Sequence, residues 1–169
     1  MERLRRDTQG QIDKAGILSL SELPDHPLMW AHYADSHRGV CLEFEVVEFV
    51  KSLDDPRGFF GPAQPIVYSD HRPVVFDPNA MEEENVKRVL LTKSEDWSYE
   101  KEFRIINHEI GKGEYSFSKE LLTGIIFGYR TPEAVREQVR RWAVKAKLNV
   151  KFYTAQPDES AGKVEIVPA

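Results

Sequence analysis

Residues 121–154 read LLTGIIFGYRTPEAVREQVRRWAVKAKLNVKFYT, and this stretch decides the fold. Residues 122–127 are nearly all apolar, as in a central strand covered on both faces. Thr131, Pro132 and Glu133 make a helix start, with a proline and an acidic residue in the first turn. From there to residue 147, Val135, Val139, Trp142, Ala143 and Ala146 recur on one helical face, which is expected to pack. Residues 150–154 read as a strand. Strand, helix and strand in this order predict a right-handed crossover with parallel strands.

Working outward, residues 156–162 read as a loop and 163–167 as a final edge strand. Residues 17–21 alternate as a strand, with Leu18 and Leu20 on one face and Ile17, Ser19 and Ser21 on the other. Pro24 and Pro27 mark a loop, and 28–34 reads as a short helix with Pro27 in its first turn. Gly39 is available for a left-handed cap, and 40–44 reads as the next strand. Residues 46–53 suit a short helix, 54–65 a Gly- and Pro-rich loop, and 65–68 a strand. Residues 71–77 read as irregular. Asp77 and Pro78 read as a helix start, and 81–93 as the helix. A strand is expected from about Glu100, with residues 115–117 as its hairpin partner. The fold class is therefore α+β: a mixed sheet with two to three helices and a C-terminal crossover. Residues 1–16 read as a polar arm or an opening helical turn, and 17–169 as a single domain.

The chain has 169 residues and is 41% apolar and 30% charged, enough to build a core without staples. Its one cysteine, Cys41, excludes an internal disulfide and suits a reducing compartment. No run approaches the roughly 20 apolar residues of a membrane helix. The charged N-terminus is unlike a secretory signal. A cytoplasmic location is expected. Net charge is −5, which disfavours overall affinity for nucleic acid. Residues 130–151 nevertheless hold seven basic and two acidic side chains. Nucleic acid is expected only through a face formed by Arg136, Arg140 and Lys147, for which a solvated surface is the plainer reading.

Glu100 and Glu102 are the first candidates for chemistry. Strand alternation would put them on one face with Arg104, where two carboxylates raise each other's pKa. That suits acid–base work or binding of a ribose hydroxyl. A solvated strand face neutralised by Arg104 is the plainer reading. Ser19 and Ser21 share a face and could donate hydrogen bonds into a cleft or simply support a neighbouring strand. His32 and His37 are five apart, which is wrong for a metal pair on one helix. A loop could return His37 and Asp35 to His32, but His32 and Tyr33 read better as a pocket wall. No metal is expected. Cys41, inside an apolar strand, reads as packing rather than as a nucleophile.

Several segments together carry a resemblance. LSLSE is followed by PLMWAHYADSHRGVCLEF, by Val67-Tyr68, by K..DW.YE.EFR from Lys93 to Arg104, and by TGIIFG from Thr123 to Gly128. In this order the chain resembles the bacterial domain of unknown function 2971 over about residues 18–128. That family has no established activity. The resemblance also implies a Tyr- and Arg-bearing segment ahead of LSLSE, so the chain is expected to be a short or trimmed member.

A second similarity concerns mechanism. An S-x-S strand followed by an E-x-E strand resembles the ADP-ribosyltransferase order. It implies NAD as cofactor, Ser19 and Ser21 as pocket supports, Glu102 on the nicotinamide-side ribose, and Glu100 orienting the acceptor. Leu20 stands where that order has threonine, and its first Arg or His strand is missing here. The candidate site is thus Glu102 and Glu100 as catalytic groups, with Ser19, Ser21, His32, Tyr33 and Arg104 binding a small molecule in a cleft. Two other functions stay open: a non-catalytic domain that binds a protein partner, and a metal-dependent nuclease. Under the first function, the chain would be a toxin or phage-defence effector.

Overall fold

The computed structural model describes residues 2–45, 62–71, 77, 79–107, 111–158 and 162–169. The helix expected at 46–53, most of the loop at 54–65 and residues 72–76 and 78 lie outside the described residues. In chain order the elements begin with α1 (Glu2–Lys14), β1 (Gly16–Ser21), α2 (Pro27–Tyr33) and β2 (Val40–Phe44). Next come β3 (Gln64–Pro65), β4 (Val67–Tyr68), α3 (Glu82–Leu90) and β5 (Thr92–Lys93). A 3₁₀ turn (Glu95–Glu100) precedes β6 (Glu102–Asn107). Finally come β7 (Leu122–Gly128), α4 (Glu133–Lys145), β8 (Lys151–Asp158) and β9 (Lys163–Pro168). Helices and strands in these proportions make the fold α+β, as expected. They group into two compact units, Met1–Glu22 with Val47–Ser116, and Leu23–Val46 with Phe117–Ala169.

In the first unit, β6 lies between β1 and β3 and is antiparallel to both. Residues 2–14, read from the sequence as a polar arm, form the full helix α1. Its inward positions are Thr8, Ile12 and, just beyond its end, Ala15, at i, i+4 and i+7. A threonine and an alanine carry too little hydropathy to reveal that stripe. Ala15 packs with Val86 and Leu90 of α3, joined by Ile12 and Ile106. The start of α3 also differs from expectation. Met81 is the capping residue, and its N–H donates to the Glu84 carboxylate at 3.1 Å. Asp77 is instead held by buried Asn85. The Asn85 Oδ1 accepts the Asp77 N–H at 2.8 Å, and its Nδ2 donates to the Asp77 carbonyl at 3.1 Å. Residues 115–117 form no strand; the Tyr115 hydroxyl folds back to donate to the Gly111 carbonyl.

In the second unit the sheet order is β2-β7-β8-β9. β7 is parallel to β8, and α4 connects them, as the crossover reading requires. β9 closes the sheet as an antiparallel edge strand. On one side, Trp30 and Ala34 pack with Ile126, Ala155 and Val164. The Trp30 indole N–H donates to the Pro24 carbonyl at 2.7 Å.

Of the face expected for α4, Ala143 is buried and Val139 half-buried, but the rest turns outward. Trp142 and Val135 are 59% and 41% exposed, while Arg136 and Arg140 turn inward. The Arg136 guanidinium donates to the Thr131 and Gly128 carbonyls and to Thr154 Oγ1, at 3.2, 2.9 and 3.0 Å. Both guanidinium groups lie over the Phe127 ring, at 5.1 and 5.3 Å from its centroid. Carbonyls left over where β7 ends need donors, and a guanidinium meets them while stacking on an aromatic face. Apolar periodicity cannot see such an interface.

The turn between α2 and β2 is left-handed at Asp35, Ser36 and His37, with φ of 45°, 50° and 68°. Gly39, expected to supply that conformation, does not adopt it. It is a close-approach position instead: its carbonyl accepts the Gly128 N–H at 3.1 Å and the Thr131 hydroxyl at 2.8 Å.

Candidate functional site

The chemistry-bearing residues of the first unit gather around β6. Glu102 opens that strand, opposite Ser21 of β1, and Arg104 lies opposite Ser19. Glu100 is not on the strand. It ends the 3₁₀ turn, and Lys101, left-handed at φ 45°, separates it from Glu102. The turn rather than strand alternation therefore brings the second carboxylate in. Glu100 and Glu102 are only 3% and 5% exposed.

Two cations hold the pair. The Lys93 ammonium, from β5, donates to Glu102 Oε2 at 3.0 Å and also to Glu100 Oε2. Arg104 Nε donates to Glu102 Oε1 at 2.7 Å and Nη2 to Oε2 at 3.2 Å. Its Nη1 is anchored on the Leu90 carbonyl. The Ser19 hydroxyl also hydrogen-bonds Glu102. The Ser21 hydroxyl donates to the Glu100 carbonyl at 2.6 Å. Tyr68 completes the cluster: its hydroxyl accepts the Glu102 N–H at 2.8 Å. Lys93 and Tyr68 were not singled out by sequence reasoning, although both stand inside the quoted motifs. Lys93 lies on β5 and Glu100 ends the 3₁₀ turn, so no single helix or strand links them.

The expectation that the carboxylates raise one another's pKa is corrected for Glu102. Burial pushes it up, but hydrogen bonds from Arg104, Ser19 and Lys93, with the Arg104 charge, outweigh burial and hold it below its usual 4.5. Burial would lower Lys93, yet its bonds to Glu100 and Glu102 raise it above its usual 10.5. Glu102 is thus an ionised acceptor at neutral pH, unsuited to giving up a proton.

These shifts set a pH window. A lowered carboxyl adds stability above its ordinary range, and that stability is lost as pH falls through the lowered folded value. A raised lysine adds stability below its ordinary range, lost as pH rises through the raised folded value. The contribution of these two groups to the urea midpoint is expected to be full from about pH 5 to about pH 10, given ordinary values near 4.3 and 10.4, and to decline on both sides. In a Glu102→Gln variant the acid decline should shrink; an unchanged acid limb would assign it to other groups.

In the second unit, His32 and Tyr33 lie exposed on α2, with rings edge-on and centroids 6.3 Å apart. His37 packs at 4.7 Å against Tyr129; burial, then the Arg130 charge, lowers its pKa. Of the basic face, Arg136 and Arg140 are engaged on the sheet as described, and Lys147 is exposed. Burial and the neighbouring Glu43 raise the Cys41 thiol pKa. Thiol labelling at pH 8 is expected to be slower than for free cysteine, whose pKa is about 8.5. Equal rates would contradict this environment. Among the described residues, no group of three or more His, Cys, Asp or Glu side chains could hold a metal ion. Among the same residues, no helix is long and apolar enough to cross a membrane.

Fold and cluster together define an α+β protein of two units, the first holding a buried, charge-balanced carboxylate pair. The model of a family described as "Protein of unknown function (DUF2971)" matches residues 29–105, which bears out the first resemblance read in the sequence. The match includes Tyr68, Lys93, Glu100, Glu102 and Arg104, whereas Ser19 and Ser21 precede it. No curated protein and no solved structure matches the chain.

Proposed function

We propose that this chain is an ADP-ribosyltransferase-like domain that binds NAD in its first unit and acts in the cytoplasm as a toxin or phage-defence effector. One observation carries the reading: the Ser-x-Ser and Glu-x-Glu segments are side by side, and the Ser19 hydroxyl bonds a Glu102 carboxylate that stays ionised. An ionised carboxylate with a neighbouring hydroxyl fits the ribose end of NAD. Glu102 and Ser19 would hold that end. NAD supplies an ADP-ribosyl group with nicotinamide as leaving group. Glu102 would accept a ribose hydroxyl hydrogen bond and stabilise positive charge developing on the sugar. Glu100 would orient the acceptor, and Arg104 keeps Glu102 charged and fixed.

A second reading is favoured by the burial of both glutamates and by their two cations. A network already neutral and hydrogen-bonded is complete without a ligand, as in a non-catalytic binding domain. Release of nicotinamide from NAD by the purified chain separates the two. Turnover supports the first reading. A folded chain that neither releases nicotinamide nor binds NAD in calorimetry supports the second.

A further inference from the structure

Lys93 is the outermost charged member of the cluster bridging both carboxylates. Its side chain is 21% exposed, against 3% for Glu100 and 5% for Glu102. Its ammonium also lies over the Trp97 ring, 5.1 Å from the centroid, and that ring reaches the surface. Arg104 is held differently, by Glu102 on one side and by the Leu90 carbonyl on the other. Arg104 is therefore the fixed counter-ion of Glu102. Lys93, a compact charge on a flexible four-carbon stem with no backbone anchor for its ammonium among the described residues, is the removable one.

We infer that Lys93 is an autoinhibitory cation that keeps the carboxylate pair closed in the free protein and withdraws when a substrate with a positively charged ring takes its place. The inference rests on the NAD reading and names how that site is regulated. No bond forms or breaks; one cation is exchanged for another, and the charge of the cluster is the same before and after. A positive ring brought onto a pair still holding both Lys93 and Arg104 would set three cations against two carboxylates, so one must leave. A ligand that binds only the open fraction of molecules has its affinity reduced by that fraction. A closed state favoured roughly ten to one weakens binding roughly tenfold.

Lys93→Met keeps most of the stem and removes the charge. By calorimetry its Kd for NAD in the oxidised form is expected to fall about tenfold. For the reduced form, whose ring is neutral, the Kd should stay at the wild-type value. Lys93→Arg keeps the charge and should bind both forms as wild type does. If wild type and both variants bind the oxidised form alike, the autoinhibitory role is overturned and the NAD reading stands. If none of the three binds it, the reading is overturned and the inference with it. Should Lys93→Met fail to fold, wild type carries the test through the nitrogen-15 signal of the Lys93 ammonium. That signal is expected to shift or vanish at saturating oxidised NAD and to persist with the reduced form. An unchanged signal with oxidised NAD bound overturns the inference.

Discussion

Glu102→Gln is expected to cut nicotinamide release by about two to three orders of magnitude, the usual cost of removing one group aimed at developing charge. Glutamine keeps the shape of the side chain and can still accept from Arg104. It loses the negative charge that Arg104, Ser19 and Lys93 maintain in the wild type. The loss should therefore appear in kcat at saturating NAD, with the circular dichroism spectrum unchanged. Wild-type turnover by a folded Glu102→Gln variant would remove Glu102 from the chemistry.

The largest stability effect is expected in the second unit, at Gly128. A Cβ built there would lie 2.1 Å from the His37 carbonyl oxygen and 2.6 Å from its carbon. Neither neighbour can easily give way. The His37 carbonyl accepts the Arg130 N–H at 3.1 Å, and the Gly128 N–H is bound to Gly39. His37 itself belongs to the left-handed turn, a conformation that a residue with a side chain holds only when its surroundings impose it. Gly128→Ala should destabilise by about 3 kcal/mol or more, at or above the upper end for inserting a carbon into a packed site. The check is a lower denaturant midpoint at constant slope. Gly10, with nothing within 4 Å of a built Cβ, is the control; its alanine variant should lose no stability. Equal behaviour of the two variants would contradict the packing of the 35–39 turn against the end of β7.

Much of the fold was legible because its signals are apolar and periodic. The run at 122–127 is the buried strand β7, and the crossover to β8 follows from the helix signals between them. What escaped was held by polar groups. Helix α1 buries Thr8, with Ala15 just beyond its end, and α4 docks through two arginines on Phe127 beside Ala143, so hydropathy pointed to Trp142, which the structure leaves outside. At the candidate site, the pairing of β1 with β6 joined Ser19 and Ser21 to Arg104 and Glu102. The position of Glu100 rests on a 3₁₀ turn and a left-handed lysine, neither of which has a sequence period. Lys93 escaped for the same reason; with Arg104 and Ser19 it reverses the expected pKa relation of the pair at Glu102.

The central claim is that Glu102 and Ser19 form the ribose-binding end of an NAD site. It is tested most directly by a crystal structure of the chain soaked with oxidised NAD. The account predicts a ribose hydroxyl within hydrogen-bond distance of the Glu102 carboxylate, beside Ser19, with the Lys93 ammonium withdrawn from the pair. Lys93 still bridging Glu100 and Glu102, with NAD absent or bound elsewhere, would contradict it.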